Sequence, residues 1–297
     1  MASKQHDALM SKIPGQDVDA NDPVDVVREK MHAIHPTSAP PGTIVEPDSL
    51  DGLEARWIYT PDNAASDRIV LHVHGGAFVS TVIDHYLMYG EFMSRRIGAK
   101  VVCFQWTWAD EAPHPRAMDD TVRAFRALVA RGIAPDRVAL VGDSCGGGLA
   151  LSAMCALRDA GGPLPACMVG LTPWLDAEQT GDAAVNPRGR DPFVEAEWIR
   201  ARFRDYAGPT GDLKDPGISP FHASLAGLPP MYLAVGEIDT TSDDSTRLAE
   251  RARREGASVI VDVAAEMVHG YIGLCDAFPE STQAMERIAL FVNQRIP

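Results

Sequence analysis

VALVGDSCGGGLA, residues 138–150, is the stretch of sequence that decides the fold. Its apolar start, Val138 to Val141, predicts a short buried strand, and the residues from Gly147 to Asp159 predict a helix. The Gly-x-Ser-x-Gly turn between them places Ser144 in a strained backbone conformation that leaves no room for neighbouring side chains. The pattern predicts a serine presented at a sharp strand-to-helix turn. The alternative is a chance pentapeptide in a glycine-rich loop, which the flanking strand and helix disfavour.

Short apolar runs and longer helical patterns alternate on both sides of this stretch. Such alternation is typical of a mostly parallel sheet with helices on both faces. The predicted strands are Ala55 to Tyr59, Ile69 to Val73, Val101 to Phe104, Val138 to Val141, Met168 to Leu171, Met231 to Val235 and Val259 to Val263. The other predicted helices are Asp119 to Ala130, Ser245 to Glu255 and Ser281 to Asn293. With 297 residues, 45% of them hydrophobic, one α/β domain with one main core is the expectation.

Two regions interrupt the alternation. The first is residues 1–45, which precede a body that spans residues 46–297. The second is an insertion into that body at about residues 177–227. The insertion contains a helical stretch near Glu195 to Tyr206 and is too long for an ordinary connection. In the first region Asp22 is predicted to cap a helix that begins at Pro23 and ends before Pro36. The predicted apolar face of that helix consists of Val24, Val27, Met31 and Ile34. This face must dock on the body of the protein.

A serine nucleophile needs a base to take its proton, and that base needs an acid to orient it. Asp239 follows the strand that ends at Val235, and His269 follows the last predicted strand. Both therefore lie at carboxyl ends of strands, where open α/β sheets bind their ligands. The chain order Ser144, Asp239, His269 is the order that a Gly-x-Ser-x-Gly turn of this kind requires.

Other assignments of these roles are open. Glu237 is the second candidate for the acid, and Asp243 and Asp244 are further ones, although they suit the cap of the following helix better. The alternative for His269 is that it is a loop histidine without a catalytic role.

The loop after the strand Ile69 to Val73 reads HGGAF at residues 74–78. Its glycines allow the backbone to approach a ligand closely, so its N–H groups can face the negative charge that develops on a carbonyl oxygen. The amide of Cys145, next to the serine, is predicted to supply the remaining donor. A glycine-rich turn without a ligand is the alternative, and the joint occurrence of loop, turn, acid and base disfavours it.

Four blocks resemble the hormone-sensitive-lipase family of bacterial esterases, which has the α/β-hydrolase fold. They are HGGAF at 74–78, GDSCGGGLA at 142–150, DPFVEAEWIRARF at 191–203, and SPFHASLAGLPPMYLAVGEIDTTSDDS at 219–245 followed by His269. The resemblance runs from about residue 46 to the C-terminus. It implies a helical cap, formed by the N-terminal region and the insertion, over the substrate pocket. It also implies oxyanion donors at Gly76, Ala77 and Cys145, with Gly75 shaping the loop.

The chain departs from the family pattern at three places. Ala77 and Cys145 stand where the family usually has glycine and alanine, and both keep the backbone amide. The family's Tyr-Arg-Leu-Ala-Pro-Glu segment is Trp106-Thr107-Trp108-Ala109-Asp110-Glu111 here. We expect this change to alter the wall behind the serine turn. The predicted pocket residues are Phe78, Trp106, Trp108, Trp198 and Phe203.

Composition excludes several classes of partner. Lys and Arg number 27 against 41 Asp and Glu, and a net charge of −14 would repel nucleic acid and anionic membranes. No stretch approaches the roughly 20 apolar residues of a membrane span, and no signal-peptide pattern opens the chain, so a cytoplasmic protein is expected. The five scattered cysteines predict neither a disulfide framework nor a metal site. We expect no metal and no cofactor, and a homodimer stays open.

The sequence therefore predicts a serine hydrolase that cleaves a carboxylic ester, a small molecule, through an acyl-enzyme. A lactone is an equally compatible substrate because its ring opens through the same residues. The competing hypothesis is a non-catalytic small-molecule-binding protein on the same scaffold, as in plant hormone receptors that resemble this family but lack the histidine.

Overall fold

The computed structural model describes residues 2–13, 17–187, 189 and 191–296. The described residues form one sheet of eight strands: β1 (Ile44–Leu50), β2 (Leu53–Tyr59), β3 (Ile69–Val73), β4 (Lys100–Phe104), β5 (Val138–Asp143), β6 (Cys167–Leu171), β7 (Met231–Gly236) and β8 (Val259–Ala264). Their order in the sheet is β1-β2-β4-β3-β5-β6-β7-β8. β2 runs antiparallel to β1 and β4, and the other neighbours are parallel. This is the predicted α/β-hydrolase fold, with one more strand than the sequence indicated.

The helices cover both faces of the sheet. They are α1 (Lys4–Met10), α2 (Val24–Ile34), α3 (Leu87–Ile97), α4 (Arg116–Ala130), α5 (Cys145–Asp159), α6 (Asp182–Val185), α7 (Ala196–Ala207), α8 (Ser242–Arg254) and α9 (Pro279–Asn293). Residues of α4, α5 and α8 belong to the core on one face, and residues of α3 and α9 belong to the core on the other. β5 serves both cores, because Leu140 packs into the first and Val141 into the second.

β1 escaped prediction because it lies at the edge of the sheet and alternates poorly. Its sequence, IVEPDSL, contains Pro47, and only Leu50 is fully buried. Proline is tolerated in an edge strand, where its missing N–H removes no ladder hydrogen bond. β1 starts at Ile44, so the boundary predicted at residue 45 falls inside the strand.

The N-terminal helix differs from its prediction at its start, whereas its end before Pro36 is as predicted. Asp22 does not cap α2, because its carboxylate accepts the Asp19 N–H at 2.8 Å and pairs with Lys30 at 2.9 Å. Pro23 is the residue before the helix, not its first helical residue. Val27 is fully buried, whereas Ile34 is 52% exposed and lies beyond the contact with the core.

No helix within the described ranges is both long enough and apolar enough to cross a membrane.

Candidate active site

Ser144 lies at the turn between β5 and α5, at the carboxyl edge of the sheet. Its φ of 53° and ψ of −128° are strained for a residue with a side chain. The turn requires glycine at both flanks: a Cβ at Gly142 would lie 2.3 Å from Gly146 O, and one at Gly146 would lie 2.1 Å from Val73 O. This strand-to-helix turn, residues 142–146, is called the elbow. It presents the serine hydroxyl to the space above the sheet.

His269 bridges Ser144 and Asp239. Its Nε2 lies 3.0 Å from Ser144 Oγ, and its Nδ1 lies 3.1 Å from Asp239 Oδ2. Asp239 is fully buried, and its other oxygen accepts hydrogen bonds from the N–H and hydroxyl of Thr241. Glu237, the second candidate for the acid, instead accepts the backbone N–H of Glu266 at 3.1 Å.

The surroundings of His269 favour its protonated form. Burial alone would lower its pKa, but the negative charges of Asp239 and then Asp191 outweigh burial and raise the pKa above 6.5. Asp191 Oδ2 accepts the backbone N–H of His269 at 2.7 Å, so it also fixes the loop that carries the imidazole. Burial, followed by the charge of Asp239, raises the pKa of Asp191 to about 6.

The HGGAF loop faces the elbow. Gly75 N–H donates to Asp143 Oδ2 at 3.1 Å, so Gly75 shapes the loop and has no free N–H for a ligand. The backbone N–H groups of Gly76 and Cys145 have no acceptor among the described residues. The Phe78 N–H donates to Cys145 Sγ at 3.3 Å. Burial raises the pKa of the Cys145 thiol far above its ordinary value, so this side chain stays protonated beside the serine.

A cavity of about 480 Å³ opens above Ser144. His269, Gly76 and Ala77 lie on its inner wall, and Met31 and Ile34 of α2 contribute to its outer wall. Of the five predicted pocket residues, Trp198 lines this cavity.

The other four predicted pocket residues do not line the cavity but lie one layer behind it. Phe78 stacks on Tyr206 with ring centroids 4.3 Å apart, and Phe203 is fully buried beside Phe78. Trp106 donates a hydrogen bond to His74 O at the start of the HGGAF loop, and Trp108 donates one to Thr81 O just beyond its end. The reason for this correction is burial: Phe78, Trp106 and Phe203 lie in the core, and Trp108 packs against the outside of that core. The cavity is lined instead by the loop backbone, by residues of the predicted cap such as Met31 and Trp198, and by body side chains such as Tyr86, Tyr89 and Trp174.

Sequence reasoning missed several residues of the site, and three of them contact the HGGAF loop or His269. Asp143 lines the cavity and binds both Gly75 N–H and His72 Nε2, the latter at 2.7 Å. Asp191 holds His269, and Trp174 packs with its ring centroid 6.0 Å from that of His269. Asp143 lies within the GDSCGGGLA block, and Asp191 is the first residue of the DPFVEAEWIRARF block. Both residues therefore stand in segments that resemble the family. Their partners are distant in sequence, and no local pattern indicates them.

One group of side chains has the composition of a metal site. Ligand atoms of Asp176, Glu178 and His222 lie within 4.8 Å of one another. Asp176 already accepts from the Thr180 hydroxyl at 2.5 Å and pairs with Arg247 at 3.2 Å. Arg247 supplies the positive charge that an ion would bring, so we assign no metal to this group.

The chain is similar to known esterases over most of its length. Residues 70–273 match a family profile described as the α/β-hydrolase fold. An acetyl-hydrolase of Streptomyces hygroscopicus is 33% identical over 85% of this chain and 83% of its own. A carboxylesterase of Mycobacterium tuberculosis is 27% identical over 81% of this chain and 77% of its own.

Solved structures agree with this result. An esterase from the bacterial hormone-sensitive lipase family superposes with a TM-score of 0.89 at 32% identity and covers both chains completely. An esterase/lipase from an uncultured bacterium gives a TM-score of 0.90 at 29% identity over 99% of both chains. The chain therefore belongs to the α/β-hydrolase family, within its hormone-sensitive-lipase group, and is a carboxylic ester hydrolase.

Proposed function

We propose that this enzyme cleaves small neutral esters through an acyl-enzyme on Ser144, with His269 as general base and Asp239 as the orienting acid. The observation that carries the proposal is the continuous chain of hydrogen bonds from Asp239 through His269 to Ser144, whose two links measure 3.1 and 3.0 Å. This chain ends at a hydroxyl on the cavity wall.

The reaction proceeds in two halves. Ser144 Oγ attacks the ester carbonyl while His269 Nε2 takes its proton, and the imidazolium then donates that proton to the departing alcohol. A water molecule, deprotonated by the same imidazole, attacks the acyl-enzyme, and the imidazolium then returns the proton to Ser144 Oγ as the acid is released. Asp239 keeps Nδ1 protonated, so Nε2 is the nitrogen that faces the serine.

The tetrahedral intermediates of both halves carry a negative oxygen. We assign its stabilisation to the N–H groups of Gly76, Ala77 and Cys145. Gly76 and Ala77 line the cavity beside Ser144, and the Cys145 N–H is the first free donor of α5. A helix N-terminus adds a favourable dipole to that donor.

The substrate is proposed to be an ester of a short acyl chain. A relative bears the name acetyl-hydrolase, and the cavity of about 480 Å³ holds a small ester with room for a larger alcohol or a few further carbons. Lactone opening would use the same residues, and lactones belong in the substrate panel for that reason.

The cap and partner assignments also remain proposals. We propose that residues 1–45 and about 177–227 form a cap, supported by Met31 and Ile34 on one side of the cavity and Trp198 on another. A net charge of −14 supports a small-molecule partner over nucleic acid or an anionic membrane. A homodimer and a cytoplasmic location stay expectations from sequence.

The Ser144→Ala variant tests the assignment of the nucleophile. Turnover of p-nitrophenyl acetate should fall by about a million-fold, because the hydroxyl carries the covalent step. A fluorophosphonate should label the native protein at Ser144 and leave the variant unlabelled. Ser224→Ala, an exposed serine distant in sequence, is the control and should stay active. A folded native protein that neither hydrolyses esters nor takes the label would favour the binding-protein alternative.

A matched pair of variants tests the acid. Asp239→Asn should reduce kcat by about 10⁴-fold, because an asparagine favours the wrong imidazole tautomer. Glu237→Gln should keep nearly native activity, since Glu237 binds the Glu266 N–H and not His269. The reverse pattern would transfer the role of the acid to Glu237.

A further inference from the structure

The loop His74–Thr81, called the oxyanion loop below, has an unusual backbone. Gly76 has a φ of 112°, and three residues with side chains, Ala77, Phe78 and Thr81, have φ values of 54°, 65° and 67°. Such conformations persist only where the surrounding structure imposes them. The oxyanion loop must therefore be held from outside.

Two tryptophans hold this loop, and neither of them lines the cavity above Ser144. Trp106 Nε1–H donates to His74 O at 3.1 Å, and its ring stacks on the His74 ring at 4.7 Å. Trp108 Nε1–H donates to Thr81 O at 3.2 Å. The two indoles thus bind the first and last carbonyl groups of the oxyanion loop.

Arg28 of α2 binds a third carbonyl group of the loop. Its Nε–H donates to Val79 O at 3.0 Å, and its guanidinium lies 3.8 Å above the Trp108 ring. Its Nη2 pairs with Asp110 at 2.7 Å. Because Val27, next to Arg28, is fully buried, the helix that carries this arginine is fixed to the core.

We propose that Arg28, Trp106 and Trp108 are positioning residues that hold the oxyanion loop in its catalytic conformation. Their three acceptors, at residues 74, 79 and 81, bracket the N–H groups of Gly76 and Ala77. The segment Trp106-Thr107-Trp108, which departs from the family's Tyr-Arg-Leu, supplies two of the donors. The proposal rests on the function proposed above, since it concerns the same oxyanion.

The kinetic consequence depends on when negative charge forms on the substrate: the bound ester is neutral, and its carbonyl oxygen becomes negative only in the tetrahedral intermediate. A displaced loop weakens hydrogen bonds to the tetrahedral oxyanion far more than contacts with the neutral substrate. Loss of one holding hydrogen bond should therefore lower kcat and leave KM nearly constant. The His269–Asp239 pair is untouched, so the pH dependence of the rate should not move.

The experiment compares single variants that each remove one donor. Trp106→Phe and Trp108→Phe keep an aromatic ring, and Arg28→Lys keeps the charge but cannot bind Val79 O, Asp110 and the indole face together. Each should lower kcat for p-nitrophenyl acetate about threefold to tenfold, with KM within about twofold. A trifluoromethyl ketone, which forms a tetrahedral adduct with the serine, should bind more weakly by the same factor. Trp57→Phe, which removes an indole hydrogen bond to Asp48 on β1, is the control. It should change neither kcat nor the affinity for the ketone.

Several outcomes would overturn the proposal. These are an unchanged kcat in all three variants, an effect confined to KM, or a shifted midpoint of the pH–rate profile. An equal loss of kcat in Trp57→Phe would also overturn it. Arg28 lies at a partly exposed site, so Arg28→Lys keeps the test decisive if a tryptophan variant fails to fold. Failure of the proposed function itself is recognised separately, because the native enzyme would then lack Ser144-dependent turnover and labelling.

Discussion

Two carboxylates act on different parts of His269. Asp239 binds the imidazole Nδ1 at 3.1 Å, whereas Asp191 binds the backbone N–H of the same residue at 2.7 Å. The first sets the tautomer and the second sets the position of the loop. Both place negative charge near the ring, and in the proposed mechanism that charge stabilises the imidazolium form of His269.

The pH profile of kcat/KM for p-nitrophenyl acetate should reflect this environment. Only neutral His269 can accept the serine proton, so the rate should rise with pH through the pKa of His269, which lies above 6.5. Asp191→Asn removes a negative charge, which lowers that pKa and moves the midpoint to lower pH. Asp159→Asn, at an exposed site distant in sequence, is the control. A native midpoint below 6.5, or an upward shift in Asp191→Asn, would contradict this assignment.

Motif residues were predictable from the sequence, whereas residues that act through tertiary contacts were not. Ser144, Asp239 and His269 could be chosen because a Gly-x-Ser-x-Gly turn fixes the order of its partners along the chain. Asp191 lies 78 residues from His269, and Arg28 lies 51 residues from the carbonyl group it binds. Nothing local to either residue encodes its partner.

At the level of elements, the strands that are buried on both faces were predicted, and so was the partly exposed β8. β3 and β6 are buried at every residue and read as continuous apolar runs. Only Leu50 of β1 is buried, and the strand contains Pro47, so its hydrophobic pattern resembled a loop. α3 was also missed, since Gly90 and a run of polar residues near its end interrupt the apolar period.

The N-terminal helix should shape substrate preference. Deletion of residues 1–35 removes Met31 and Ile34 from the cavity wall, and each methylene of substrate that loses contact should raise KM about fourfold. KM for p-nitrophenyl hexanoate should therefore rise much more than KM for the acetate. The deletion also removes Arg28, so kcat should fall for both esters.

Point variants separate the two effects of that deletion. Ile34→Ala should raise KM for the hexanoate alone, because Ile34 lines the cavity, is half exposed and supplies none of the hydrogen bonds from Arg28, Trp106 and Trp108 that hold the oxyanion loop. Val24→Ala, on the same helix but away from the cavity wall, is its control. The monodisperse fraction must be assayed, since the deletion exposes apolar surface. Equal KM values for native and deleted enzyme across the ester panel would refute the cap assignment for this segment.

Across the whole molecule, excess negative charge should select among substrates before they reach the cavity. A net charge of −14 repels anionic esters over about 30 Å at 10 mM salt, but over only about 8 Å at 150 mM. We expect kcat/KM for mono-p-nitrophenyl succinate to rise about threefold or more between these salt concentrations. The neutral butyrate ester is the control and should change little. A fall with salt for the succinate would indicate a locally positive entrance.

The distance along the chain between the elbow and its base has a consequence during protein synthesis. Ser144 and His269 are separated by 125 residues. At about 5–20 residues per second, a ribosome needs roughly 6 to 25 s to add His269 after it has made the serine. Under the proposed function, a nascent chain therefore carries its nucleophile for many seconds before its general base is made. Hydrolysis then requires β7 and β8 to have joined the sheet, because Asp239 and His269 follow these strands.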